Sequence, residues 1–360
     1  MLAISLAHIA CTSDTGSDGD TGGVADSADT ADSADSGADS RTDSGDDTGV
    51  ENTVDTRLLD ACVTDGKELT ELWSSALPDM VGTPTQMAWA RDHLVVLDAD
   101  GTTDATALRA YDLPAPLGDS SALGTRWQSV GSTLGFSISG TKVFTANGGI
   151  HVLNLADAAE LASVDLGASP ALSVAGSGDA AFATTATEVF TWDGASSSAT
   201  PSDVGDAAGQ VVGMTVEGEW AAGEGRAPVV AFRARGESAF TSTTLTAFGR
   251  AVDILPHPGG GAWVFGGPDG YAWYGSFDGT GTLVASNQFE SPGISRVVGS
   301  EGTQHAWSSW DGLGIAAFSD TNYGILSDTP SIAALAVDPD GYWLLTVDED
   351  GTLRRWTCEE

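Results

Sequence analysis

Three aspartates in "DADGTTD", Asp98, Asp100 and Asp104, place carboxylates at alternate positions, as do the turns "DPDG" (Asp338 to Gly341) and "DEDG" (Asp348 to Gly351). Alternating oxygens are what a hard cation such as calcium takes as ligands. None of the three stretches continues into a loop with a bidentate glutamate, and Asp-Gly is also common hairpin-turn chemistry. The expectation is therefore no cofactor, with calcium at one of these turns as the secondary reading. Four histidines follow the first hundred positions or stand just before them, His93, His151, His257 and His305, and their spacing assigns each to a different structural unit. They share no metal-ligand spacing. The chain has no G-x-S-x-G elbow, no G-x-x-x-x-G-K loop and no H-E-x-x-H pair, so no catalytic residue is nominated.

Charge narrows the partners. The net formal charge is −37. Thirteen acidic residues lie between Thr12 and Thr56, with Arg41 as the one basic residue and no aromatic residue. Such a segment buries too little apolar surface to offset its backbone entropy, so residues 12–57 read as a disordered acidic tether. As a flexible coil it would span roughly 40 Å. The remainder has 38 acidic and 13 basic residues, a net charge near −25, which repels phosphate backbones. No nucleic-acid partner is expected, and a monomer is.

The first eleven residues, "MLAISLAHIAC", are apolar and end in Cys11. Eleven residues rise only about 16 Å as a helix, too short to cross a bilayer. The stretch resembles the end of a bacterial lipoprotein signal, in which the cysteine after the cleavage site carries lipid, and a cationic region is expected upstream. That resemblance implies lipidation at Cys11, a membrane contact through the lipid, and a bacterial cell-envelope location, periplasmic or surface-exposed. Cys62 and Cys358 then remain as a pair in an oxidising compartment.

The elements that position these residues come from a repeat. Short apolar or alternating runs are punctuated by Gly and Asp, with no helical periodicity. Recurring anchor strands centre on Tyr111, Leu153, Trp192, Phe232, Tyr274, Phe318 and Trp356, spaced by 42, 39, 40, 42, 44 and 38 residues. Seven units of about 41 residues follow, each a meander whose edges and open face need neighbours. Radial packing supplies them, so an all-β, seven-bladed β-propeller is expected over residues 58–360. Trp89, Trp192, Trp220, Trp263, Trp273, Trp307, Trp343 and Trp356 fall in strands and read as packing between blades. The period, the strand grammar and the dipeptide Trp192-Asp193 resemble the WD-repeat and quinoprotein-like propeller superfamily.

The last unit supplies three strands and a blade needs four. "KELTELWSS" (Lys67 to Ser75) alternates suitably and is expected to close the ring beside "TLRRWTC". Antiparallel pairing would bring Cys62 and Cys358 to one rim, within disulfide reach.

In the family resembled, connecting loops bind proteins, peptides or sugars. The longest here, "PAPLGDSSALGTRWQSVGSTLG" from Pro114, is expected to expose Arg126 and Trp127, residue types favoured at interface hot spots. The functional expectation is an envelope-anchored, non-catalytic binding or scaffolding module for a protein or glycan partner. Two alternatives stand beside it: a propeller enzyme of quinone-dependent dehydrogenase, lactonase or lyase type, and a subunit of an outer-membrane assembly complex.

Overall fold

A computed structural model describes residues 69–90, 93–100, 105–113, 123–167, 169–223, 227–246, 249–257, 259–267, 271–290, 296–299, 304–309, 312–317, 323–326, 331–337 and 344–358. The strand β1 (Leu69–Ala76) precedes a first sheet of β2 (Thr83–Ala90), β3 (His93–Ala99), β4 (Thr106–Asp112) and β5 (Gly124–Gly131). A second holds β6 (Gly135–Ser139), β7 (Lys142–Asn147), β8 (Gly149–Asn154) and β9 (Glu160–Val164). The third holds β10 (Ser173–Ser177), β11 (Ala180–Thr184), β12 (Val189–Trp192) and β13 (Thr200–Ser202). In the fourth are β14 (Val211–Met214), β15 (Gly218–Ala222), β16 (Val229–Ala234) and β17 (Thr241–Thr244). The fifth has β18 (Ala251–Pro256), β19 (Ala262–Gly266), β20 (Tyr271–Phe277) and β21 (Leu283–Glu290). The sixth has β22 (Arg296–Gly299), β23 (Gln304–Ser309), β24 (Gly312–Ala317) and β25 (Tyr323–Leu326). The last contains β26 (Ile332–Val337), β27 (Leu344–Asp348) and β28 (Thr352–Cys358).

All strand pairs in these seven four-stranded sheets are antiparallel, and they are sequential except for β1 with β28 in the last, whose order is β1-β28-β27-β26. The first strands of the sheets touch in the cyclic order β2, β6, β10, β14, β18, β22, β26 and back to β2. The fold is a closed β-propeller, and among the described residues its one helical element is a 3₁₀ turn at Gly205–Ala207.

Closure follows from register. Leu69 pairs with Cys358 and Ala76 with Thr352, across a bulge between Glu71 and Trp73. Arg354 donates to Glu71 Oε2 at 2.8 Å and to Asp348 Oδ2 at 3.2 Å, tying the first strand to the last sheet. Of the three cysteines, Cys11 and Cys62 lie outside the described residues, and the backbone of Cys358 ends β28.

Between the sheets lies a core of apolar faces. Met87, Trp89, Leu94 and Tyr111 of the first sheet pack on Ala334, Leu345 and Leu353 of the last. Trp220, Phe232 and Trp273 fill the seam between the fourth and fifth. Trp89, Trp192, Trp220, Trp263, Trp273 and Trp356 are all buried, as packing between sheets requires. The side chains of Trp307 and Trp343 lie outside the described residues.

Two of the turn aspartates, Asp98 and Asp348, are taken up by the fold. Asp98 is fully buried and pairs with Arg109, while its Oδ2 accepts the backbone N–H of Val81 at 2.8 Å and of Gly82 at 3.0 Å. Asp348 Oδ1 accepts the N–H of Asp350 at 3.1 Å and of Thr352 at 2.8 Å, capping its own hairpin. Asp104 and the Asp338 to Gly341 turn lie outside the described residues.

Candidate functional site

The most developed polar cluster sits on the outer half of the second sheet. His151 of β8 and Ser163 of β9 are direct cross-strand partners. In a regular strand Glu160, three positions before Ser163, would point to the opposite face. The register slips between Val152 and Leu153, so that Leu153 faces Glu160 and Leu161 is the extra residue. This bulge turns Glu160 back onto the face of its neighbours. Its carboxylate then receives the Ser163 hydroxyl at 2.9 Å on Oε1 and stands 3.0 Å from His151 Nδ1 on Oε2. The other ring nitrogen, Nε2, lies 3.1 Å from the main-chain oxygen of Asn147. Hydrogen bonds from His151 first, and from Ser163 second, hold the Glu160 carboxyl below the ordinary glutamate range.

A cavity of about 480 Å³ opens beside this cluster, lined by His151, Ser163, Asp165, Pro170 and the Gly148-Gly149 turn. The turn is glycine for steric reasons. Gly148 has φ +72°, and a Cβ on Gly149 would lie 2.2 Å from the Val164 oxygen. Asp165 Oδ1 accepts the Gly167 N–H at 2.8 Å, which shapes the far wall. Hydroxyl, imidazole and carboxylate thus face one shallow space, a surface suited to hydroxyl-bearing or cationic groups. Glu160 stands between Ser163 and His151, so the serine proton faces a carboxylate and not the imidazole.

Arg126 is exposed as the sequence suggests, and Trp127 is not. Of the stretch expected as an exposed loop, Gly124–Gly131 form β5 and residues 114–122 lie outside the described residues; Trp127 is buried at 8% exposure with its indole N–H donating to the Leu155 oxygen at 2.7 Å. Arg126 is exposed; its Nε donates to the Ala156 oxygen at 2.7 Å and its Nη1 to Asp112 at 2.8 Å. Both side chains lash the first sheet to the turn after β8. A lone Trp amid Gly, Ser and Thr looks like a loop in sequence, but its ring finds the neighbouring sheet.

The histidines stay apart. His93 is buried 3.3 Å from Asp112, His151 is in the cluster above, and His257 stacks on Trp263 at 4.9 Å and accepts the Gly259 N–H at 2.9 Å. Burial lowers the His257 pKa. His305 lies on β23, its side chain outside the described residues. Among the described residues no three His, Cys, Asp or Glu side chains gather as a metal site. A second cavity, about 660 Å³, lies between the third and fourth sheets beside Asp203 and Phe240. Its Phe240 stacks with Phe182 and carries the Arg233 guanidinium 4.6 Å above its ring.

No family model matches the chain, and no curated protein matches it. Among solved structures, a chain from the crystal structure of a mitotic checkpoint complex is similar, with a TM-score of 0.62 at 13% identity, over 82% of this chain and 93% of that one. The similarity is one of fold.

Proposed function

We propose that this chain is a non-catalytic binding or scaffolding module, held at a bacterial envelope by lipid on Cys11 and by the acidic segment that follows it. The observation that carries this reading is the closed propeller itself. Its ring packs the apolar faces on each other and leaves the outermost strand of each sheet with an unpaired edge. A propeller of the same fold is found in a multiprotein complex, the mitotic checkpoint complex. The groove lined by His151, Ser163 and Asp165, with Glu160 beside it, gives this surface a polar contact point for hydroxyl or cationic groups of a protein or glycan partner. A Cys62–Cys358 disulfide at the seam is part of the same proposal, and mass spectrometry of unreduced peptides tests it.

Affinity purification of the full chain from bacterial envelopes is the experiment. The expected result is a partner recovered in stoichiometric amount, and a Cys11→Ser chain released from the membrane fraction. Turnover of a carbohydrate or lactone by the purified chain, or membrane retention unchanged by Cys11→Ser, would overturn the reading.

A further inference from the structure

A propeller exposes one free strand edge per sheet, and unprotected edges pair with other chains. Here the outermost strands are β1, β5, β9, β13, β17, β21 and β25. Six of them are blunted. β9, β13, β17 and β25 have only 5, 3, 4 and 4 residues. β9 also carries the bulge at Leu161, and β13 contains Pro201. β1 is bulged and carries Glu71 in an ion pair with Arg354. β5 is bulged, and Arg126 and Trp127 fasten its start to the next sheet's turn.

β21 is also bulged, at Val284, but among the described residues it keeps the longest regular run of these outer strands. It has 8 residues, and after a register shift at its start Ala285 through Glu290 pair in unbroken register with Ser276 through Tyr271. From Leu283 to Phe289 the sequence "LVASNQF" carries no charge and no proline. Val284 through Gln288 are consecutively exposed, so both faces of the strand are open to solvent. Val284 is 67% exposed. An edge that is long, regular, uncharged and open on both faces has the properties by which strand addition recognises an extended peptide.

We propose that β21 is a docking edge to which an extended segment of a partner protein adds as a fifth strand, a proposal that rests on reading the chain as a binding module. The occupant is uncharged over five or six central residues and flanked by Lys or Arg. Neutral residues match Ala285 to Gln288, and Asp278 before the strand and Glu290 at its end call for positive flanks on a chain of net charge −37. A second copy would bring the same negative charge to the same edge, which sets it aside as the occupant.

The test titrates the full chain with a fluorescein-labelled probe peptide, Lys-Lys-Thr-Val-Thr-Val-Thr-Lys-Lys, by polarisation, and follows amide hydrogen exchange. Saturable one-to-one binding is expected, with new protection confined to Ala285–Phe289. Ser286→Pro and Ser286→Lys should each weaken it at least tenfold, as should replacing the probe's lysines by glutamate. Ser286→Lys, on an exposed site, keeps the fold and its melting temperature if the proline variant does not. Absence of saturable binding, equal binding by both variants, protection elsewhere, or dimerisation of the chain through β21 in light scattering would overturn the proposal. Envelope partner capture unchanged by Ser286→Lys would sink the edge while leaving the module reading standing, so the two failures are distinguishable.

Discussion

Replacing Asp98 by alanine should loosen the propeller at the joint between its last sheet and its first. Asp98 and Arg109 lie on one face of the first sheet, as diagonal neighbours: Asp98 is opposite Ala107, and Arg109 is two positions further along. Both are fully buried, and among the described residues Asp98 is the one ionic partner of Arg109. The same carboxylate holds the N–H groups of Val81 and Gly82 in the connector between β1 and β2. That connector is further held by the Tyr111 hydroxyl, which donates to the Pro78 oxygen at 3.1 Å, and burial raises the Tyr111 pKa so that it keeps this proton. Removing one partner of a buried pair costs about 3–5 kcal/mol because the other charge stays behind. Two unsatisfied backbone donors are already counted within a loss of that size if the connector relaxes into water. An expected loss of ~4 kcal/mol corresponds to a fall in melting temperature on the order of 8 °C. Urea titration followed by tryptophan fluorescence reads it, since Trp89 and Trp73 pack at this joint. Asp98→Leu with Arg109→Met removes both charges and should recover part of the loss, leaving about 1–3 kcal/mol for the stranded Val81 and Gly82 donors. A single-variant cost below ~1 kcal/mol, or a double variant worse than the single, would refute the account.

Further expectations are as direct. The Glu160 carboxyl should titrate below the ordinary glutamate range by carbon-detected NMR, and His151→Ala should raise it more than Ser163→Ala does. Because its folded value lies below its unfolded one, its contribution to stability is present above the unfolded glutamate range and is lost as pH falls through the folded value. Asp193 receives the Ser196 hydroxyl at 2.5 Å and the N–H groups of Ser196 and Ala195, and its carboxyl is lowered to about 2; Ser196→Ala should move it back toward ordinary aspartate in the same experiment. Gly149→Ala should destabilise the second sheet, with a lower midpoint in urea, because its Cβ would lie 2.2 Å from the Val164 oxygen. A melting temperature unchanged from wild type would count against the close approach drawn there.

The propeller was legible because its information is periodic. Anchors such as Tyr111, Trp192 and Trp356 recur at the length of one meander, and a final unit one strand short points to the segment around Leu69 to complete it; the observed β1 begins and ends within two residues of that expectation. What was hidden depends on register. Asp98 looks like a calcium ligand beside Asp100 until β3 and β4 align it with Arg109, eleven residues on. His151, Glu160 and Ser163 gather only because Leu161 is squeezed out of the ladder, and no spacing rule announces a bulge. Trp127 shows the reverse: the residue type suggested a contact surface, and its contact is internal. In the Trp192-Asp193 pair, by contrast, both side chains meet Ser196, the indole N–H on its oxygen at 2.7 Å and the carboxylate on its hydroxyl and amide.

The pairing of Glu71 with Arg354 spans 283 positions. During synthesis the first six sheets can assemble while their joint remains ajar, since the seventh waits until the ribosome has passed Cys358. Until then a nascent chain carries β1 and the flank of the first sheet behind it without their partner, an open edge of the kind that pairs with other chains.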